Sequence, residues 1–230
     1  MINFIEILHE DKVQTVEIKD SYKNIRPSHM KDSNESKQFW NTLFCEEGRA
    51  QHVETVDEEW FLSEIFGRDE SNFTFDFNVH DESIQSCLMR FDDTHWNSLT
   101  EAQKRDLICD FGEILARKRG LEEVPEIDFV KKAELSCGSF KQRYNSIEIN
   151  TNIFCNSKEV IDTVAHEMRH AYQYQRANIL ETREDLLYKA NFDNYVSPIP
   201  LEDGKYLFFI DYQDQLVEAE ARAFAKLFSE

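Results

Sequence analysis

Hydrophobic positions change period several times along the chain. Residues 3–8 and 13–18 alternate as short strand-like stretches, and a polar run follows at 31–37. An aromatic cluster comes next at Trp60, Phe61, Phe66, Phe73, Phe75 and Phe77. Within it Phe73-Thr74-Phe75-Asp76-Phe77 has period two, the pattern of a half-buried strand. From Thr100 the period becomes helical. Leu107, Ile108, Phe111, Ile114 and Leu115 fall at helical spacing, Thr100 with Gln103 makes a capping box, and Gly120 supplies a C-cap. Strands are predicted at 126–130 and 146–150, the second preceded by the turn-rich Cys137-Gly138-Ser139-Phe140 and Tyr144-Asn145. Asn156 with Glu159 gives another capping box, opening a helix that runs to about Ala177. A polar connection with Pro198, Pro200 and Gly204 leads through a strand-like stretch at 206–210 into a helix from about Tyr212 to Phe228. No internal repeat is present.

The helix after Asn156 carries His166-Glu167-Met168-Arg169-His170, an H-E-x-x-H motif. Residues four apart share one helix face, so both imidazoles can reach one metal ion at about 2.0–2.1 Å, with Glu167 beside the place of a catalytic water. Roughly 0.02 accidental matches are expected in a chain of this composition, so chance is a poor explanation. Ile161, Val164, Ala165, Met168, Ala171 and Tyr172 make the surroundings apolar, as an ordered metal site requires. Catalytic zinc takes three protein ligands. Neither His nor Cys follows His170, so the third falls to a downstream carboxylate, and the terminal helix offers Glu218 and Glu220. On a helical wheel Val217, Ala221, Phe224 and Phe228 share a face; Glu220 lies inside that apolar arc and Glu218 at its edge, so burial alone favours Glu220.

Composition narrows the partners. The 230 residues carry 26 Lys+Arg against 45 Asp+Glu, a formal net charge of −19, and this acidity repels phosphate backbones and anionic lipid. Neither nucleic acid nor a membrane is therefore the expected partner. With 41% hydrophobic residues and only 6 Gly and 4 Pro, the chain can bury a core. No apolar run is long enough to span a bilayer, and residues 1–10 lack the basic patch and apolar stretch of a signal peptide. Cys45, Cys87, Cys109, Cys137 and Cys155 form no C-x-x-C pair and read as reduced thiols. A cytoplasmic location is the expectation.

Three segments carry a family resemblance: residues 139–150, residues 163–173 around the motif, and Glu218-Ala219-Glu220-Ala221-Arg222-Ala223-Phe224-Ala225. Together they resemble small bacterial gluzincin metallopeptidases, including the minigluzincin and ImmA/IrrE-like groups and metallopeptidase domains of phage and toxin-like proteins. The resemblance implies an α+β, zincin-like fold, with a small mixed sheet over the H-E-x-x-H helix and a C-terminal ligand helix. It implies zinc held by His166, His170 and Glu218, with Glu167 as general base, and a peptide or protein substrate. Glu218 is preferred because Ala221 stands three residues after it, as in the family's E-x-x-A-[DN] pattern; Glu220 would then pair with Arg169. Arg222 departs from that pattern by replacing the Asp or Asn that orients a histidine, which leaves Asp162, Asp211 and Asp214 as candidate acceptors. The strand at 146–150 is the expected edge strand, placing Ile147, Glu148 and Ile149, with Tyr212, against substrate.

The resemblance covers residues 92–230. Residues 1–91 form a separate N-terminal region, an α/β extension for recognition, cover or partner binding. Tyr172, Tyr174, Tyr195, Tyr206 and Tyr212 are the available oxyanion donors. Cys137 reads as an ordinary thiol rather than a thiolate cap on the metal, and His80 and His95 as residues outside the site. Two rivals share the motif: a zinc-stabilised binding or sensor module without hydrolysis, and a toxin-like effector using the same chemistry.

Overall fold

A computed structural model describes residues 64–132, 136–200 and 206–228. The strand-like stretches at 3–8 and 13–18, the polar run at 31–37, and Trp60 and Phe61 lie outside them. The chain is α+β, with seven α-helices and a small mixed sheet of three strands among the described residues. It divides into two compact units. One contains 70–175 with the residues from Glu220 onward, the other 176–219 with the described residues up to Asp69.

The first unit holds most of the hydrophobic core. Helix α1 (Glu82–Leu88) starts at Asp81, whose carboxylate accepts from the Ser83 N–H, and α2 (Asp93–Ser98) starts likewise at Asp92. Helix α3 (Glu101–Arg119) has both halves of the capping box between Thr100 and Gln103, and ends at Gly120 in the left-handed region, φ 71°. Its buried face, Leu107, Ile108, Phe111 and Leu115, packs with Trp96, Ile84, Cys87 and Phe91. Residues on both sides of position 92 therefore share one core. Trp96 is fully buried, stacks on Phe91 at 5.3 Å and donates its indole N–H to the Phe154 carbonyl at 2.9 Å.

Strands β1 (Glu126–Val130), β2 (Gly138–Lys141) and β3 (Ser146–Asn150) lie in the order β1-β3-β2, with β1 parallel and β2 antiparallel to β3. Ile147 and Ile149 point into the core, while Glu148 points to the other face, where Lys132 at 2.6 Å and Lys141 at 3.3 Å meet its carboxylate. The Asn150 side chain steadies the β1–β2 connection by donating to the carbonyls of Lys132 and Ser136. Helix α4 (Ser157–Ile179) follows, its first turn capped by Asn156 Oδ1, which accepts from the N–H groups of Lys158 and Glu159. Gly112 lets α3 approach closely: a Cβ there would lie 2.6 Å from Ile127 Cδ1 on β1 and 3.3 Å from Met168 Cε on α4.

Three sequence expectations need correction. Residues 73–77 form no strand. Phe73, Phe75 and Phe77 are half-buried between exposed Thr74 and Asp76, so the alternation is real. However, Phe75 and Phe77 put their ring edges on Phe224, at 5.4 and 5.2 Å, so the burial that produces the pattern comes from a helix. The stretch 206–210 is strand only at β5 (Tyr206–Leu207), paired with β4 (Ile199–Pro200). Phe208, at φ 60°, then turns the chain into α6 (Phe209–Gln213). The terminal helix is consequently two helices, α6 and α7 (Leu216–Lys226).

The second unit explains that break. Helix α5 (Arg183–Asp193) opens with a capping box between Thr182 and Asp185. Fully buried Asp185 also accepts two bonds from Arg176, at 2.7 and 2.6 Å. Gln215, between α6 and α7, spends its side chain on the backbone of Val196 and Tyr212 and on Asn191 Nδ2. Asn191 Oδ1 in turn accepts the Val217 N–H at the start of α7. Side chains on other segments thus supply the bonds that let a new helix begin.

Candidate metal centre

His166 and His170 lie one turn apart on α4, their Nε2 atoms 3.0 Å from each other and their rings near perpendicular at 85°. That separation is less than two Zn–N bonds of roughly 2.0–2.1 Å laid end to end, so one ion can reach both nitrogens. Ligand atoms of His166, His170 and Glu218 all lie within 4.8 Å of one another. His170 and Glu218 are buried and His166 is half-buried. Two imidazoles and a carboxylate suit zinc in type and number, with a coordination position left over. Glu218 is held by the Tyr195 hydroxyl, which donates to Oε1 at 2.5 Å. Glu167 is buried next to His166.

Arg169 points elsewhere. Its Nη2 donates to Glu220 Oε1 at 2.6 Å, in an ion pair whose two side chains are only 3% and 4% exposed. Its guanidinium also lies 4.5 Å from the Tyr172 ring centroid and 5.1 Å from that of Phe75. The second Glu220 oxygen accepts from Gln173 Nε2 at 2.6 Å, and Gln173 Oε1 lies 2.9 Å from His170 Nδ1. Both acids are buried, so burial does not separate them as helical phasing suggested: Glu220 is engaged by Arg169 and Gln173, while Glu218 is the acid grouped with the histidines.

Other expected residues fall differently. The strand at 146–150 is central rather than an edge, because β1 and β2 flank it on both sides. Ile147 and Ile149 are fully buried core residues, and Glu148 is occupied by two lysines that, with its hydrogen bonds, hold its carboxyl below the usual range. None of the three stands on an edge strand of the sheet. The strand beside the site is β2: a Cβ on Gly138 would lie 3.2 Å from Glu167 Cγ and 2.6 Å from Thr163 Cγ2. Tyr212 is half-buried on α6, its ring centroid 6.2 Å from that of Tyr195. Asp162 is exposed on α4, and partial desolvation of its carboxyl pushes it up despite the pull of His166. Arg222 donates to Glu70 Oε1 at 2.8 Å.

The Cys137 thiol is pushed up to about 11, first by burial and then by its hydrogen bond to Glu159 and nearby acids, so at neutral pH it is protonated. His80 and His95 are exposed and lie outside the metal-capable group. Two residues of this neighbourhood carry weak sequence signals. Gln173 stands three residues after His170, a spacing that puts two side chains on one helix face, and Tyr195 was one tyrosine among five candidate donors. No family model matches the chain, and neither a curated protein nor a solved structure does.

Proposed function

We propose that the protein is a zinc-dependent peptidase of zincin-like architecture, with His166, His170 and Glu218 as ligands and Glu167 as general base. The observation that carries this reading is the convergence of the two motif histidines with Glu218 of α7, their ligand atoms all within 4.8 Å of one another. Bound there, zinc would lower the pKa of a water toward about 7 and polarise the scissile carbonyl. Glu167 would take the proton of the attacking water and deliver it to the leaving amine. Glu167 itself is a buried residue next to His166 in the chain. Tyr195 orients Glu218 through Oε1. An extended peptide would add to β2, which lies next to Glu167 at the edge of the sheet among the described residues, through main-chain hydrogen bonds. Half-buried Phe140, whose ring centroid lies 5.9 Å from that of Tyr174, belongs to that strand.

The test is metal content together with turnover. Purified protein is expected to carry about one zinc per chain, and His166→Ala or His170→Ala to abolish it. Glu167→Gln is expected to keep zinc and fold while losing nearly all hydrolysis of an unstructured protein substrate. Full occupancy in the His166→Ala/His170→Ala double variant would sink the assignment. A wild-type chain that binds zinc, hydrolyses nothing and unfolds on chelation would instead be a zinc-stabilised binding module.

A further inference from the structure

The brace behind His170 settles a question of proton placement. An imidazole can bind a metal through Nε2 only if that nitrogen offers its lone pair, which requires the proton on Nδ1. Gln173 lies 2.9 Å from that Nδ1, but a glutamine amide is ambiguous. Turned one way it offers a carbonyl acceptor, turned the other an NH2 donor, and only the first holds the proton on Nδ1. Glu220 removes the ambiguity. A carboxylate only accepts, so the amide side 2.6 Å from Glu220 Oε2 is the NH2, and the carbonyl is left for His170. The Glu220 carboxylate is fixed by the charge-assisted bond from Arg169, whose guanidinium always donates. Donation therefore converges on the Glu220 carboxylate, from Arg169 on one side and from His170 by way of Gln173 on the other. Gln173 has no exposed surface, and Arg169 and Glu220 are each 3% exposed, so water offers little competition.

We propose that Gln173 is the positioning residue that makes His170 an Nε2 ligand, and that Arg169 and Glu220 hold it in the one amide orientation that does so. The acceptor comes from the motif's own helix, three residues on, with Arg222 standing where the resemblance leads one to expect an Asp or Asn. The idea rests on the zinc reading above.

Competitive chelator titration of the full chain reads zinc affinity, and 15N imidazole spectra of the metal-free protein read which His170 nitrogen carries the proton. Gln173→Leu fills similar volume without an acceptor. It is expected to weaken zinc about 10–100-fold and to shift His170 from the pure Nδ1–H form to a mixture. Gln173→Glu alone sets two carboxylates together and is expected to weaken zinc at least as much, or to unfold the chain. Combining it with Glu220→Gln exchanges amide and acid, which reverses the bond between the two positions but keeps an acceptor for the His170 Nδ1 proton, and is expected to restore affinity to within a few-fold of wild type. A folded Gln173→Leu chain with wild-type zinc affinity and an unchanged Nδ1–H signal would overturn the inference while leaving the metal site intact. A double exchange that folds but stays as weak as the worse single variant would do the same. Zinc retained by the His166→Ala/His170→Ala variant would remove the underlying reading and this inference with it.

Discussion

Arg169 occupies one of the two unspecified positions of the H-E-x-x-H motif, yet its surroundings constrain it tightly. It is buried between the Glu220 carboxylate and the rings of Tyr172, Phe75 and Phe224. Removing one partner of a buried pair strands the other charge, which typically costs about 3–5 kcal/mol. Arg169→Ala is therefore expected to lower unfolding free energy by that order in urea titrations, and Arg169→Lys to be far from neutral, since an ammonium reproduces neither the fork nor the flat stacking. A loss below about 1 kcal/mol for Arg169→Ala would show that the pair is not the anchor described. The pairing itself was legible in the sequence, because helical phasing puts Glu220 among apolar residues and Arg169 off the metal-facing side. The role of Gln173 was not, because it depends on which way an amide turns, and that is decided 47 residues away.

At the scale of elements, Gly138 sets how closely β2 meets α4. A methyl group there would stand 2.6 Å from Thr163 Cγ2, 3.1 Å from the Glu148 carbonyl and 3.2 Å from Glu167 Cγ. Gly138→Ala is expected to cost about 1–3 kcal/mol as strand and helix separate. It should lower turnover while zinc affinity changes less than threefold, because β2 supplies no ligand. Wild-type turnover in that variant would argue against β2 as the substrate-bearing edge. Strands β1 and β3 and helix α3 were legible because their signals are local: β-rich runs of five residues, a capping box, a terminal glycine. Strand order was not, since which strand lies in the middle depends on a pairing between distant residues. The break before α7 was equally hidden, because Asn191 and Gln215 supply its bonds where no Gly or Pro interrupts the sequence.

Over the whole molecule, several paired carboxyls contribute to acid sensitivity, and the fully buried one is Asp185. Burial alone would raise its carboxyl, but the bonds from Arg176 and from the N–H groups of Thr182 and Glu181 outweigh it, and the net shift is downward. A carboxyl lowered on folding adds stability that is fully present above its unfolded pKa, about 3.9, and is lost as pH falls through the lower folded value. The urea midpoint of the wild type is therefore expected to decline below about pH 4, and Asp185→Asn, less stable at neutral pH, to decline less steeply over the same range. Parallel acid limbs in the two proteins would remove Asp185 from the account. The acidic excess, −19 in all, was plain from composition; that this acid is held by an arginine was not. The brace of Arg169, Gln173 and Glu220 has a consequence for inheritance as well. A change at any one of the three leaves the other two with a misdirected donor or a stranded charge, so a lineage passes between alternatives only by changing them together. Descendants of this chain should carry H-E-x-R-H-x-x-Q with the later glutamate as a block, exchange the amide and the acid together, or lose the brace while the histidines remain.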